Sequence, residues 1–174
     1  ALIGKTPDYG VHQPENRQPD IRIKIEAELK TETDYGALGI YIGKMIRDKI
    51  PVFERLPKTM HEEFLKHLGA GLASSGMTSI FHYKPMRLPA LETVSIGEKE
   101  LEDAIESLST PSQKPNLICV GCPHCSFSEV KSVARLLKGK SVHRELWVCT
   151  SRFVKERAKE DVKTIEKAGG HVLC

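Results

Sequence analysis

The sequence predicts an α/β fold, with parallel or mixed sheets flanked by helices. Three observations carry that expectation. Residues 21–29 alternate apolar and polar side chains, which places the apolar ones on one face of a strand. Residues 117–174 read as strand, helix, strand, helix, strand, the order of a parallel sheet with crossover helices. Between these regions Ser109-Thr110-Pro111-Ser112-Gln113-Lys114-Pro115 is rich in breakers and marks a boundary. The expected domains are therefore 1–108 and 116–174, joined by a 109–115 linker.

Along the chain, Pro7, Gly10, Pro14 and Pro19 hold the opening segment in an ordered loop. The strand at 21–29 follows. Residues 35–49 have apolar side chains at helical spacing, and Gly36, Gly39 and Gly43 form a stripe that costs helix stability but permits close backbone packing. A short strand is expected at 50–54 and a helix at 59–75, capped by Thr59 with Glu62 at the capping-box position. Gly76 would end that helix. Further elements are a strand at 79–83 and a helix at 99–107. Then come a buried strand at 117–121, an amphipathic helix at 126–138, a strand at 145–149, one helix over 152–168, and a strand from Val172 onward.

A 174-residue chain of net charge +3 with ordinary apolar and charged fractions is a globular protein with a real core. Its Lys and Arg residues form no block beyond pairs, so neither nucleic acid nor a membrane surface is implied as a partner. A small anionic substrate remains compatible. No apolar run approaches the roughly 20 residues of a membrane span, and the first residues lack a signal-peptide pattern, so a cytoplasmic location is expected. The chain starts without Met and stops within the apolar run His171-Val172-Leu173-Cys174, which reads as a piece of a longer chain.

Five cysteines, at 119, 122, 125, 149 and 174, all lie in the last third, a pattern that suits metal or redox chemistry better than a disulfide framework. Cys119, Cys122 and Cys125 stand at two-residue gaps where a strand gives way to a helix, whose N-terminal N–H groups favour thiolates. Iron–sulfur ligation is one reading, although the fourth cysteine and following proline of a ferredoxin-type run are missing. Strand period makes Cys119 a small buried residue rather than a ligand. A thiol–disulfide oxidoreductase using Cys122 and Cys125 is a second reading, since Cys122-Pro123-His124-Cys125 is the active-site tetrapeptide of oxidising thioredoxin-like proteins. That fold also carries a cis-proline loop downstream, whereas no proline follows Pro123. Zinc would need a second Cys/His pair, which neither His143 nor Cys149 supplies. Inert buried thiols are the plain alternative for Cys125, Cys149 and Cys174, and a non-catalytic interaction module is the plain alternative for the whole chain.

Other candidates start from weaker signals. His12, Glu15, Asn16 and Arg17 crowd the first loop, where a solvated surface explains them as well as a site does. Ser74 and Ser75 end a helix, and His82 reads as a satisfied core histidine. Thr150-Ser151-Arg152 follows the end of a strand, where open α/β sheets bind ligands and Arg can fork onto a carboxylate or phosphate. Ordinary capping by Thr150 or Ser151 explains the first two equally.

Taken in order, these segments resemble the aconitase X family. The resemblance rests on Gly4-Lys5-Thr6-Pro7-Asp8-Tyr9-Gly10-Val11-His12 with Glu15-Asn16-Arg17, and on Asp34-Tyr35-Gly36-Ala37-Leu38-Gly39 with Gly43-Lys44. It continues through Ala73-Ser74-Ser75-Gly76, Gly121-Cys122-Pro123-His124-Cys125-Ser126 with Glu129, Glu145-Leu146-Trp147-Val148-Cys149-Thr150-Ser151-Arg152, and Ala168-Gly169-Gly170. The resemblance implies a dehydratase large subunit whose iron–sulfur cluster, of the 4Fe-4S type, is held by three cysteines and leaves one iron open to the substrate hydroxyl. Cys122 is the one ligand matched here; the other two would lie outside the chain, in a Thr-Cys-Thr-Pro-like motif and an Asp-Thr-Cys motif. This piece alone is therefore expected to be inactive. The implied substrate is a small hydroxy acid that can carry a phosphate, and His12, Asn16, Arg17, Ser75, His124, Ser151 and Arg152 are its candidate contacts. The implied partners are the remainder of the large subunit and a separate small subunit. Family members dehydrate phosphomevalonate in an archaeal mevalonate pathway or cis-3-hydroxyproline, and the many Lys and Glu residues favour the first.

Overall fold

The computed structural model describes residues 4–57, 60–84, 90–110 and 114–174. They form two compact units, 1–110 and 111–174.

In the first unit, alternation along Ile21–Ile25 (β1) sends Ile21, Ile23 and Ile25 into the core. β1 is the middle of a parallel sheet, between Pro51–Glu54 (β2) and Thr93–Ile96 (β3). The strand is shorter than the 21–29 alternation predicts, because the amides of Glu26 and Ala27 both converge on the Ile96 carbonyl and end the ladder. Glu32–Ile46 (α1) opens with a reciprocal cap. Thr31 Oγ1 accepts from the Asp34 amide and Asp34 Oδ2 accepts from the Thr31 amide.

α1 crosses Glu62–Gly76 (α2) at backbone distance, as the glycine stripe predicts. A methyl group at Gly39 would stand 2.4 Å from the Leu68 carbonyl oxygen, and one at Gly71 would stand 2.7 Å from that of Gly36. Around this crossing Tyr35 stacks on Phe64 at 4.5 Å, and Leu38, Ile42, Leu68 and Leu72 are fully buried. Glu98–Leu108 (α3) adds Leu101 to the same core.

Three expectations for this unit change. Thr59 lies outside the described residues, and α2 starts at Glu62 with His61 as an N-cap that makes no side-chain capping bond. Met77, not Gly76, is the left-handed C-cap; Gly76 is still helical, and a Cβ there would stand 2.3 Å from the Gly43 carbonyl oxygen across the crossing. No strand forms at 79–83 beyond a bridge at His82, whose amide donates to Pro51 and whose carbonyl accepts from Phe53. That bridge lies outside β2, at the opposite edge of the sheet from β3, whose Thr-Val-Ser-Ile alternation carries the strand signal in four residues.

The second unit is a parallel sheet in the order β4-β5-β6, comprising Leu117–Cys125, Glu145–Thr150 and His171–Leu173. Phe127–Leu137 (α4) and Lys159–Lys167 (α6) pack on one face. Val130 and Ala134 there meet Leu146, Val148, Ile165 and Val172. The helix expected over 152–168 is broken into Arg152–Arg157 (α5) and α6. Ala158, buried with φ −96° and ψ 29°, turns the chain while keeping its bonds to Val154 and Val162.

β4 is not the buried strand its composition suggests. Among the described residues it pairs on one side only, with β5, and the helices cover β5 instead. Leu117, Ile118 and Val120 stay 37–44% exposed, and Cys119 is exposed rather than buried.

No helix among the described residues is long and apolar enough to cross a membrane.

Candidate functional site

The site in the second unit lies where β4 parts from β5. Val120 is paired with Val148 and Cys125 with Thr150, so five steps along β4 answer two along β5. The three surplus residues must bulge out of the sheet, and they carry Cys122-Pro123-His124 to its carboxyl end. Gly121 makes the departure possible. Its φ is +112°, and a Cβ there would stand 2.2 Å from the Cys149 carbonyl oxygen, so a side chain is excluded twice over. The Cys122–Pro123 peptide is cis.

Beyond the bulge the chain is pinned again. The hydroxyl of Thr150, fully buried, donates to the Cys125 carbonyl at 2.6 Å. Ser126 then caps α4, with its Oγ accepting from Glu129 N and its own amide donating to the Glu129 carboxylate at 2.6 Å. On the neighbouring strand it is Ser151 that caps the helix, accepting from Val154 N, and Thr150 that braces the bulge. Sequence reasoning left those two roles open. A buried threonine at the last position of a strand was the available signal. Cys122, His124, Ser151 and Arg152 thus share one end of one sheet, the end where open parallel sheets take ligands. Arg152 is exposed there and lines a groove of about 420 Å³ of mixed charge, with Lys155, Lys159, Glu156, Glu166 and Cys174.

Of the five thiols, Cys174 is exposed rather than buried, and the other four divide into three environments. Cys122 is exposed on the bulge and Cys125 is 3% exposed against the core, so an exchange partner in solution reaches one sulfur of the Cys122/Cys125 pair and not the other. Cys119 and Cys149, on the sheet face opposite the helices, bring their sulfurs to 4.0 Å. Loss of water around Cys149 raises its pKa above the usual thiol value, with further upward contributions from the hydrogen bond and charge of Cys119 and the charge of Cys122. Among the described residues no group of three or more His, Cys, Asp or Glu side chains is arranged to hold a metal ion.

The remaining candidates belong to the first unit. Arg17 is spent on its own loop, donating from Nε to the Val11 carbonyl at 2.6 Å and from a terminal nitrogen to that of His12. Asn16 Nδ2 donates to the Gly10 carbonyl, and a ring nitrogen of His82 bonds the Arg17 carbonyl at 2.7 Å. These bonds fold residues 10–17 into two short 3₁₀ turns with His12 exposed. Ser75 Oγ donates back to the Gly71 carbonyl within α2.

Comparison with known proteins agrees along the chain. Residues 19–106 match the family described as the aconitase X second domain, and residues 115–174 match the aconitase X third domain. The phosphomevalonate dehydratase large subunit of Methanosarcina mazei is 42% identical over 100% of this chain and 44% of its own length. The cis-3-hydroxy-L-proline dehydratase of Pseudomonas aeruginosa is 29% identical over 91% of the chain and 30% of its own length. The crystal structure of Thermococcus kodakaraensis aconitase X in its holo form superposes with a TM-score of 0.88 at 34% identity, across 99% of this chain and 47% of that one. The chain spans about half the length of the curated relatives it matches.

Proposed function

Because the chain belongs to the aconitase X family, we propose that it supplies the second and third domains of a hydro-lyase large subunit, and that the whole enzyme is a cytoplasmic phosphomevalonate dehydratase of a mevalonate pathway. The observation that carries the choice of substrate is the 42% identity to a phosphomevalonate dehydratase subunit over the full chain, against 29% to a cis-3-hydroxyproline dehydratase.

The donor set tells what this chain contributes. Cys122 is held out on a bulge, exposed, by a glycine that tolerates no side chain and a buried hydroxyl that fixes the strand beyond it. One presented thiol suits one corner of a three-thiolate cluster site, whose other two corners this reading assigns to cysteines outside the chain. An iron–sulfur cluster, with two further cysteines from the rest of the large subunit, would supply Lewis acidity toward a departing hydroxyl. This chain's own residues position and recognise. Arg152 offers a planar fork for a carboxylate or phosphate at the same end of the sheet as Cys122, Ser151 and His124. In the first unit, Asn16 and Arg17 shape the loop that presents His12, and Ser75 orders the end of α2 next to the glycine crossing. A small subunit completes the enzyme.

The test uses the full-length subunit with its small partner, purified without oxygen. Water loss from phosphomevalonate, with iron and sulfide in the protein and loss of both in Cys122→Ser, is the expected result. Turnover of cis-3-hydroxyproline in place of phosphomevalonate would overturn the substrate, and protein free of iron would overturn the reaction class.

A further inference from the structure

We infer that Cys119 and Cys149 form a reversible dithiol–disulfide pair, oxidised by a hydroperoxide, that staples β4 to β5 just ahead of the bulge carrying Cys122. The inference stands apart from the proposed dehydratase activity and needs neither substrate nor cluster.

Register brings the two side chains together. Cys119 is paired with Trp147, and Cys149 lies two residues further along β5, so the period of the strand puts both on the face turned away from Leu146 and Val148. Their sulfurs stand 4.0 Å apart. A disulfide needs about 2.05 Å between sulfurs and Cα atoms within about 7 Å, and a diagonal pair starts at about 7–8 Å, so closure takes side-chain rotation together with an inward shift of the edge strand. β4 is the strand free to make that approach, because among the described residues it is bonded on one side only.

Access sets the order of events. Cys119 is exposed and Cys149 half-buried, so the oxidant reaches Cys119 first. The Cys119 sulfur attacks one peroxide oxygen; an S–O bond forms, the O–O bond breaks, and the departing hydroxide takes the thiol proton as water. The sulfur of Cys149 then attacks that of Cys119; the S–S bond forms, the S–OH bond breaks, and the second proton leaves with hydroxide as another water. Two thiols lose two electrons in all, and one hydroperoxide is reduced to two waters in the case of hydrogen peroxide. A small thiol reverses the change by exchange.

The experiment treats natively purified, full-length protein with hydrogen peroxide, blocks remaining thiols with iodoacetamide, and maps the non-reduced digest by mass spectrometry. The expected product is a peptide joining Cys119 to Cys149, lighter by two hydrogens and released by dithiothreitol. It should vanish in both Cys119→Ser and Cys149→Ser. The wild-type map decides the matter even if a variant fails to fold. A Cys119–Cys122 or Cys122–Cys125 link in its place would overturn the inference, as would Cys119 carried to sulfinic acid while Cys149 remains open to alkylation, or an unchanged pair.

Discussion

The two units place three parallel strands side by side and put their polar and reactive groups to different use. In the β2-β1-β3 sheet the middle strand buries three isoleucines, and α1 and α2 meet so closely that backbone touches backbone. The conspicuous polar residues there are consumed locally, with Arg17 and Asn16 tied to carbonyls of their own loop and Ser75 to its own helix. In the β4-β5-β6 sheet the edge strand stays exposed, and the tight backbone approach of Gly121 to Cys149 serves to lift a thiol out of the sheet. The difference teaches that the same motif strength in a sequence can mark a brace or a presented group, and that the bonding partners decide which.

The sharpest way to break the comparison is at the helix crossing. Gly76→Ala puts a Cβ 2.3 Å from the Gly43 carbonyl oxygen and 2.7 Å from its Cα, and backbone on both sides cannot yield. Despite the better helix propensity of Ala, urea unfolding should show a loss of about 3 kcal/mol. Next comes the brace of the second unit. Thr150→Val removes the hydroxyl that bonds the buried end of β4 and should cost about 1–3 kcal/mol, with Thr150→Ser retaining most of it. Smaller and local is Arg17→Ala, which should speed amide exchange across residues 10–17 while leaving the global midpoint nearly unchanged. Arg17→Lys should fail to restore protection, because an ammonium cannot span the Val11 and His12 carbonyls as the guanidinium fork does. Least of all, Gly36→Ala meets nothing within 4 Å and should stabilise α1 by up to about 1 kcal/mol. A loss at Gly36 equal to that at Gly76 would remove the distinction between the contacting and open glycines of the crossing.

Where one element carries its own signal, the fold was legible. Alternation in Ile21–Ile25 and the glycine spacing of α1 announce a strand and a close crossing, and the later strand–helix alternation announces a parallel sheet. Legibility failed where neighbours decide. Residues 79–83 have strand composition, but only His82 bridges β2, at the outer edge of the sheet; Leu117 to Val120 look like a core strand yet sit at an edge. The break at Ala158 has no breaker residue to announce it. In the site, the exposure of Cys122 follows from a bulge that only cross-strand register reveals. The same register makes neighbours of Cys119 and Cys149, thirty positions apart, which no local spacing could suggest.

The exposed margin of β4 bears on how the molecule behaves at high concentration. Along Leu117 to Val120 a row of backbone N–H and C=O groups faces outward beside apolar side chains that are 37–44% exposed. That combination is a template for strand addition, and those four residues include no proline or lysine to discourage it. Residues 114–174 handled alone would therefore tend toward self-association through this margin. Ile118→Lys, at one of its most exposed apolar positions, is the economical solubilising change.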